Sequence, residues 1–387
     1  MKIPDWLLHP LLAFTSSRIF IFFVGTYARI MLPVEQGHWN ASPESPFLSL
    51  WAKWDSQYYY DIVVNGYWFT PGQQSNVAFF PFYPLLVRMV SGLLKDNVIL
   101  AGFLISNIFF LGALIIFFKL TEIEIDPGSA KRVVYYLAFF PTSFFFSSVY
   151  TESTFLFFML GTVYFAKKQN WIAASMMGIL TSVTRNIGIL AWPLVIFEWL
   201  RSNGWTLKQI FQKENWLSLW EGFKKHWFDL IIISIIPLGM ITYMLFLKVN
   251  FDRPLAFIET QAAWGRENIG PIGVLTKSVT YMANYPIGKG WLVNFINTFG
   301  VLFFLILIPF IWFKINEGYA IFVLISLILP LSSSTGSIIR YLLTAFPGFM
   351  LLAKWGRNEI VDKILLTSFS VLLGMFVTIF AVWVFVA

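Results

Sequence analysis

The chain has 387 residues, of which 58% are hydrophobic, 19% aromatic and only 12% charged, with a formal charge of +7. So apolar a composition excludes a soluble globular protein of this size, and the excess of base does not mark nucleic-acid binding, because the cations cluster in short segments between apolar runs. With no cysteine there is no disulfide framework, thiolate metal site or cysteine nucleophile.

Apolar runs near the roughly 20 residues a bilayer-crossing helix needs predict an all-α polytopic membrane protein of about eleven spans, forming one domain over 1–387. The N-terminus, MKIPDWLLHP, lacks a cleavable-signal pattern, so the first span, about 11–33, is expected to stay as an anchor. It carries Arg18 and Arg29, each close enough to an edge to snorkel. Residues 34–96 follow as a large first outer loop. Its apolar part, 79–95, is expected to lie in the interface, being short, broken by Pro81 and Pro84, and interrupted by Arg88. Further spans are expected at about 97–118, 132–149, 153–166, 171–184, 186–200, 228–247, 291–313, 318–331, 340–353 and 363–386.

This alternation puts Lys2, Lys119, Lys131, Arg132, Lys167, Lys168, Lys314, Lys354, Arg357, Lys363 and the basic loop 201–227 on one side, which the positive-inside rule makes cytoplasmic. The Trp/Leu spacing of 201–227 predicts an amphipathic connector on the membrane surface. The loop 34–96, the tetrad Tyr150-Thr151-Glu152-Ser153, the turn at Arg185, the loop 248–290 and Ser332–Arg340 fall on the outer side.

Polar residues there exceed what loop composition explains. Asp55 and Asp61 stand among many aromatics in WAKWDSQYYYDIVVNGYWF, and aromatic faces with carboxylates are what a sugar site needs; an aromatic-rich interfacial loop has the same look. Glu152 lies between two apolar runs, where it also suits a helix start. Arg185 interrupts an otherwise nearly charge-free run and is costly unless paired or wet, with Glu152 as a candidate partner. Arg340-Tyr341 follows a small polar run. Two arginines with two or three carboxylates on one face predict a phosphate-bearing ligand beside a proton acceptor, since the guanidinium fork matches phosphate and a carboxylate can deprotonate a hydroxyl. A transporter or flippase for a lipid-linked or anionic solute carries the same inventory, although its charges belong near mid-span. Gln261 and Trp264, in QAAWGREN, are further candidates for substrate contact. The three histidines, His9, His38 and His226, show no metal-ligand spacing.

Four segments resemble the PIG-V-like mannosyltransferases of the GT-C superfamily: Trp54-Asp55 with Asn65-Gly66-Tyr67 and AFFPFYP; FFPTSFFFSSVYTESTF; Thr184-Arg185-Asn186; and IIRYLLTAFP. The resemblance implies a GT-C-like bundle and a polyprenyl-phosphate-linked sugar as donor; no cofactor or metal is expected, and the acceptor is expected to be a glycolipid, glycan or protein. The resemblance also implies that Asp55 and Glu152 are the catalytic acids and that Arg185 and Arg340-Tyr341 stand at family motif positions. With the guanidinium argument above, Arg185, Arg340 and Tyr341 are expected to bind the donor phosphate, and Trp54, Asp61, Tyr67, Gln261 and Trp264 to contact substrate. Thr151 replaces the first serine of the family's Tyr-Ser-Glu-Ser motif, and Asn186 stands where its Arg-Ser-Asn-Gly motif has serine. The expected activity is inverting transfer of a hexose, mannose in the family, on the outer face of a prokaryotic cytoplasmic membrane, or the lumenal face of the endoplasmic reticulum in a eukaryote.

Overall fold

A computed structural model describes residues 3–386; Lys2, one of the orienting cations, lies outside the described residues. Among these, every regular element is a helix. Five stretches are long and apolar enough to cross a bilayer: Asp5–Met31, Val98–Glu124, Lys213–Phe251, Lys289–Lys314 and Glu359–Ala381. At ~1.5 Å per residue such helices exceed the roughly 30 Å hydrocarbon core. Large apolar side chains stay on their surfaces, among them Phe23, Ile108, Ile306, Phe313 and Val371, as expected where the surroundings are lipid rather than water. The all-helical membrane architecture read from composition is the one observed.

Other expected spans are short or interrupted, and the interruptions shape the molecule. The run expected to cross at 132–149 is helical only over Pro127–Ala138, then passes through Pro141 into an irregular stretch with one 3-10 turn, Ser143–Phe146. Proline supplies no N–H and clashes with the preceding turn, and the serines that follow bond to local carbonyls instead. Non-helical backbone inside a bundle needs internal partners. Arg18 supplies them. It does not snorkel but is 2% exposed, donating to the Ala138 and Ser143 carbonyls and to the Ser143 and Ser147 hydroxyls at 2.9–3.2 Å.

The expected span 340–353 is likewise two helices, Ile338–Leu342 and Phe346–Trp355, parted just ahead of Pro347, which disfavours helical backbone in the residue before it. The expected span 186–200 begins as a 3-10 turn, Asn186–Leu190. The amphipathic connector and the span expected at 228–247 are redistributed: Lys213–Ile233 runs through both with a kink at His226, and the chain resumes as Leu238–Phe251 after Pro237. The loop 248–290 contains the helix Gly270–Asn284. In 79–95 the helix is Phe82–Ser91, at ten residues about half of a crossing.

Val98–Glu124 packs on Glu152–Lys167, which packs on Trp171–Ser182, while Asp5–Met31 lies against Glu359–Ala381. One apolar cluster runs through Phe110, Phe117, Phe146, Leu156, Phe304, Phe349 and Leu373. The 16-residue helix Glu152–Lys167 carries an ionic group at each end. At its C-terminus, Lys167 lies 2.7 Å from Glu124 and 2.9 Å from Glu198, tying neighbouring helix ends together. At its N-terminus Glu152 joins a second ionic cluster.

Candidate active site

The site is assembled from segments far apart in sequence, each held by local bonds. Asp55 immediately precedes the helix Ser56–Asn65. The Tyr150 hydroxyl accepts from the Asp55 N–H and donates to the Lys53 carbonyl, while the Ser56 hydroxyl donates to the Val149 carbonyl. Between those anchors Trp54 adopts φ +52°, a left-handed conformation that a bulky residue rarely takes and that costs about 1 kcal/mol or more. The first loop is thus stapled to residues 149–150, and the staple sets the position of Asp55.

Glu152 is the first residue of its helix, where free N–H groups favour a carboxylate. Arg185 follows Trp171–Ser182 in extended backbone, and Arg340 lies in Ile338–Leu342. The four charges form a chain. Arg340 Nη1 is 2.7 Å from Asp55 Oδ2, Arg340 Nε is 3.3 Å from Glu152 Oε1, and Arg185 Nη1 is 2.8 Å from the same Glu152 oxygen. Glu152 and both arginines are at least nine-tenths buried, whereas the Asp55 side chain is 28% exposed. Buried charges of this kind cost several kcal/mol each when unpaired, so the two arginines depend on the carboxylates beside them. Tyr341 sits between the two guanidiniums, with its ring centroid 5.0 Å from Arg185 and 5.9 Å from Arg340. Glu152 Oε2 is buried without a hydrogen-bond partner among the described residues.

These groups line one cavity of about 170 Å³ together with Tyr59, Phe79, Gln261 and Trp264. Trp264 meets Phe79 edge-on at 6.2 Å, giving an apolar wall opposite the ionic one. Of the residues singled out from sequence, Asp55, Glu152, Arg185, Arg340, Tyr341, Gln261 and Trp264 all reach this cavity.

Trp54, Asp61 and Tyr67 do not line it. Both Asp61 oxygens are occupied, by Asn65, Trp68 and Asn76 side chains at 2.6–2.8 Å, so this acid braces its own loop. Tyr67 donates to the Phe79 carbonyl and packs on Tyr243 and Phe246. Trp54 packs at steep angles against the rings of His38, Trp383 and Phe385.

Sequence reasoning passed over Tyr59 and Arg266 as site residues. Tyr59 follows Asp55 by four positions at a helix start, a spacing that puts both on one face. Arg266 had no such signal, since an arginine in a polar loop is ordinary. No group of three or more His, Cys, Asp or Glu comes together among the described residues.

The model of the family described as "Mannosyltransferase (PIG-V)" matches residues 39–258, which contain Asp55, Glu152 and Arg185. The chain belongs to the PIG-V mannosyltransferase family. A GPI mannosyltransferase 2 from Schizosaccharomyces pombe is 28% identical over 164 residues, 40% of this chain and 34% of that protein, so the shared segment spans about a third of the relative. Among solved structures, the oligosaccharyltransferase of Archaeoglobus fulgidus in its apo form aligns with a TM-score of 0.45 at 12% identity, over 94% of this chain and 56% of that one. The oligosaccharyltransferase AglB from the same organism, in complex with an inhibitory peptide and a dolichol-phosphate, aligns with a TM-score of 0.42 at 12% identity, over 95% and 55%.

Proposed function

We propose that this family member is an integral-membrane glycosyltransferase that moves a hexose, mannose, from a polyprenyl-phosphate-linked donor to an acceptor hydroxyl on a glycolipid, glycan or protein at the outer face. The observation that carries the reading is the convergence of Asp55, Arg340, Glu152 and Arg185 in one cavity with an aromatic wall. A transport path would instead string such charges through the midplane.

In the reaction, the acceptor oxygen forms a bond to the anomeric carbon as the bond from that carbon to the donor phosphate oxygen breaks. Asp55, the more exposed acid, takes the acceptor proton, and the lipid leaves as its phosphate monoester. Attack opposite the leaving group inverts the anomeric centre. Arg340 orients Asp55, and with Arg185 presents positive charge where the leaving phosphate gains negative charge, so both should lower the barrier more than they strengthen ground-state binding. The unpartnered Glu152 oxygen accepts from a sugar hydroxyl, and Trp264 and Phe79 cover the apolar face of the ring.

The test is Asp55→Asn in proteoliposomes supplied with labelled polyprenyl-phosphate mannose. Loss of a general base costs typically about 10²–10⁴-fold in rate. Near-normal turnover by this variant would remove Asp55 from the mechanism.

A further inference from the structure

A second cavity, of about 390 Å³, adjoins the first, and its wall is largely apolar, including Ile187, Phe257, Ile258, Leu329 and Pro330. Four residues line both cavities: Asn186, Gln261, Arg266 and Tyr341. Arg266 is the charged one of these four. It follows Gly265, whose φ of +68° turns the chain sharply after the 3-10 segment Thr260–Trp264, and it shares the lining of both cavities with Tyr341.

The charges of the first cavity leave Arg266 a distinct task. Three guanidiniums, Arg185, Arg266 and Arg340, face two carboxylates, Asp55 and Glu152, leaving one positive charge in excess. Arg185 and Arg340 are already bound to those carboxylates. Among the described residues Arg266 makes no ion pair, although Glu267 beside it pairs with Lys277. A half-buried, uncompensated guanidinium at the junction of a polar and an apolar cavity matches a ligand that is polar at one end, apolar at the other and carries a single negative charge between them. A sugar phosphodiester of a long-chain lipid has that order.

We propose that Arg266 is the docking contact for the donor phosphate, with the sugar in the Asp55–Glu152 cavity and the first part of the lipid chain in the adjoining one. The assignment rests on the lipid-phosphate donor proposed above and refines it. Arg266 secures the phosphate in the ground state, while Arg340 and Arg185 act as charge develops.

The two layers separate in a steady-state comparison of wild type, Arg266→Gln and Arg266→Lys, full length in proteoliposomes, with polyprenyl-phosphate mannose as donor and polyprenyl phosphate as product inhibitor. Arg266→Gln should raise the donor KM and weaken inhibition by polyprenyl phosphate by roughly ten- to a hundredfold, the range for a lost charged hydrogen bond, with kcat little changed. Arg266→Lys should recover much of that loss. Unchanged donor KM and inhibition in Arg266→Gln, or a loss confined to kcat, would overturn the assignment while leaving the donor class intact. A wild-type protein that neither uses polyprenyl-phosphate mannose nor is inhibited by polyprenyl phosphate would overturn the donor reading, and this assignment with it.

Discussion

Arg340 Nη1 lies 2.7 Å from Asp55 Oδ2, an ion pair between residues 285 positions apart. Because the same guanidinium also approaches Glu152, it joins the first loop, the helix Glu152–Lys167 and the C-terminal third at one point. A lysine is a point charge and cannot bridge both carboxylates as a planar fork does. Arg340→Lys should therefore lower kcat by about tenfold or more with a smaller change in donor KM, measured in the proteoliposome assay. A loss confined to donor KM would assign Arg340 to docking instead.

The two acids should differ in what they contribute to stability. Glu152 is 1% exposed and neutralises two buried arginines, whereas Asp55 is partly solvated. Glu152→Gln strips Arg185 of its counter-charge and leaves Arg340 with Asp55 alone, a change in the class that costs about 3–5 kcal/mol. Asp55→Asn should cost only about 1 kcal/mol or less. Thermal unfolding of the two variants in detergent should show a large drop for the first and a small one for the second; equal drops would mean that the cluster is wetter than its burial indicates.

Arg18 holds the irregular stretch after Ala138. Arg18→Met removes the donors to two backbone carbonyls and two hydroxyls inside the bundle, and each buried acceptor left unmet costs about 1–3 kcal/mol. Folded yield should fall sharply for the methionine variant, with partial recovery in Arg18→Lys, as read by size-exclusion profile and melting temperature.

Lys53 provides a pH-dependent test. Its amine is fully buried beneath Asp55, donating to the Ala381 carbonyl and lying 4.3 Å from the Trp383 ring centroid. Burial, with Arg29 nearby, pushes its pKa down to about 7. The unfolded chain keeps this amine protonated up to about 10.4, so between those values the unfolded state binds more protons and wild-type stability rises with pH. The penalty is fully present below pH 7. Relative to Lys53→Met, the wild-type protein should gain as pH goes from 7 to 9, by up to about 1.4 kcal/mol per unit. A constant difference between the two melting curves would show that Lys53 stays charged, held by the Trp383 face.

Helical class and membrane residence were legible because hydrophobicity is a local property: an apolar run declares its own burial wherever it packs. The ionic groups of the cavity were legible for a related reason. Asp55, Glu152, Arg185 and Arg340 each interrupt or border apolar sequence, where an ionic group is expensive, so each demanded a partner. Their shared cavity is a property of packing. No spacing in the chain states that Arg340 meets Asp55, that Arg266 stands between two cavities, or that Asp61 is consumed by Trp68 and Asn76. The broken helices divide the same way: Pro141 marks the interruption in the sequence, but only the fold supplies Arg18, more than a hundred residues earlier, to satisfy the carbonyls it frees. Composition determined where this chain resides and which side chains were too costly to be idle. Tertiary structure decided which of them face one another, because pairing energies depend on distances that only folding sets.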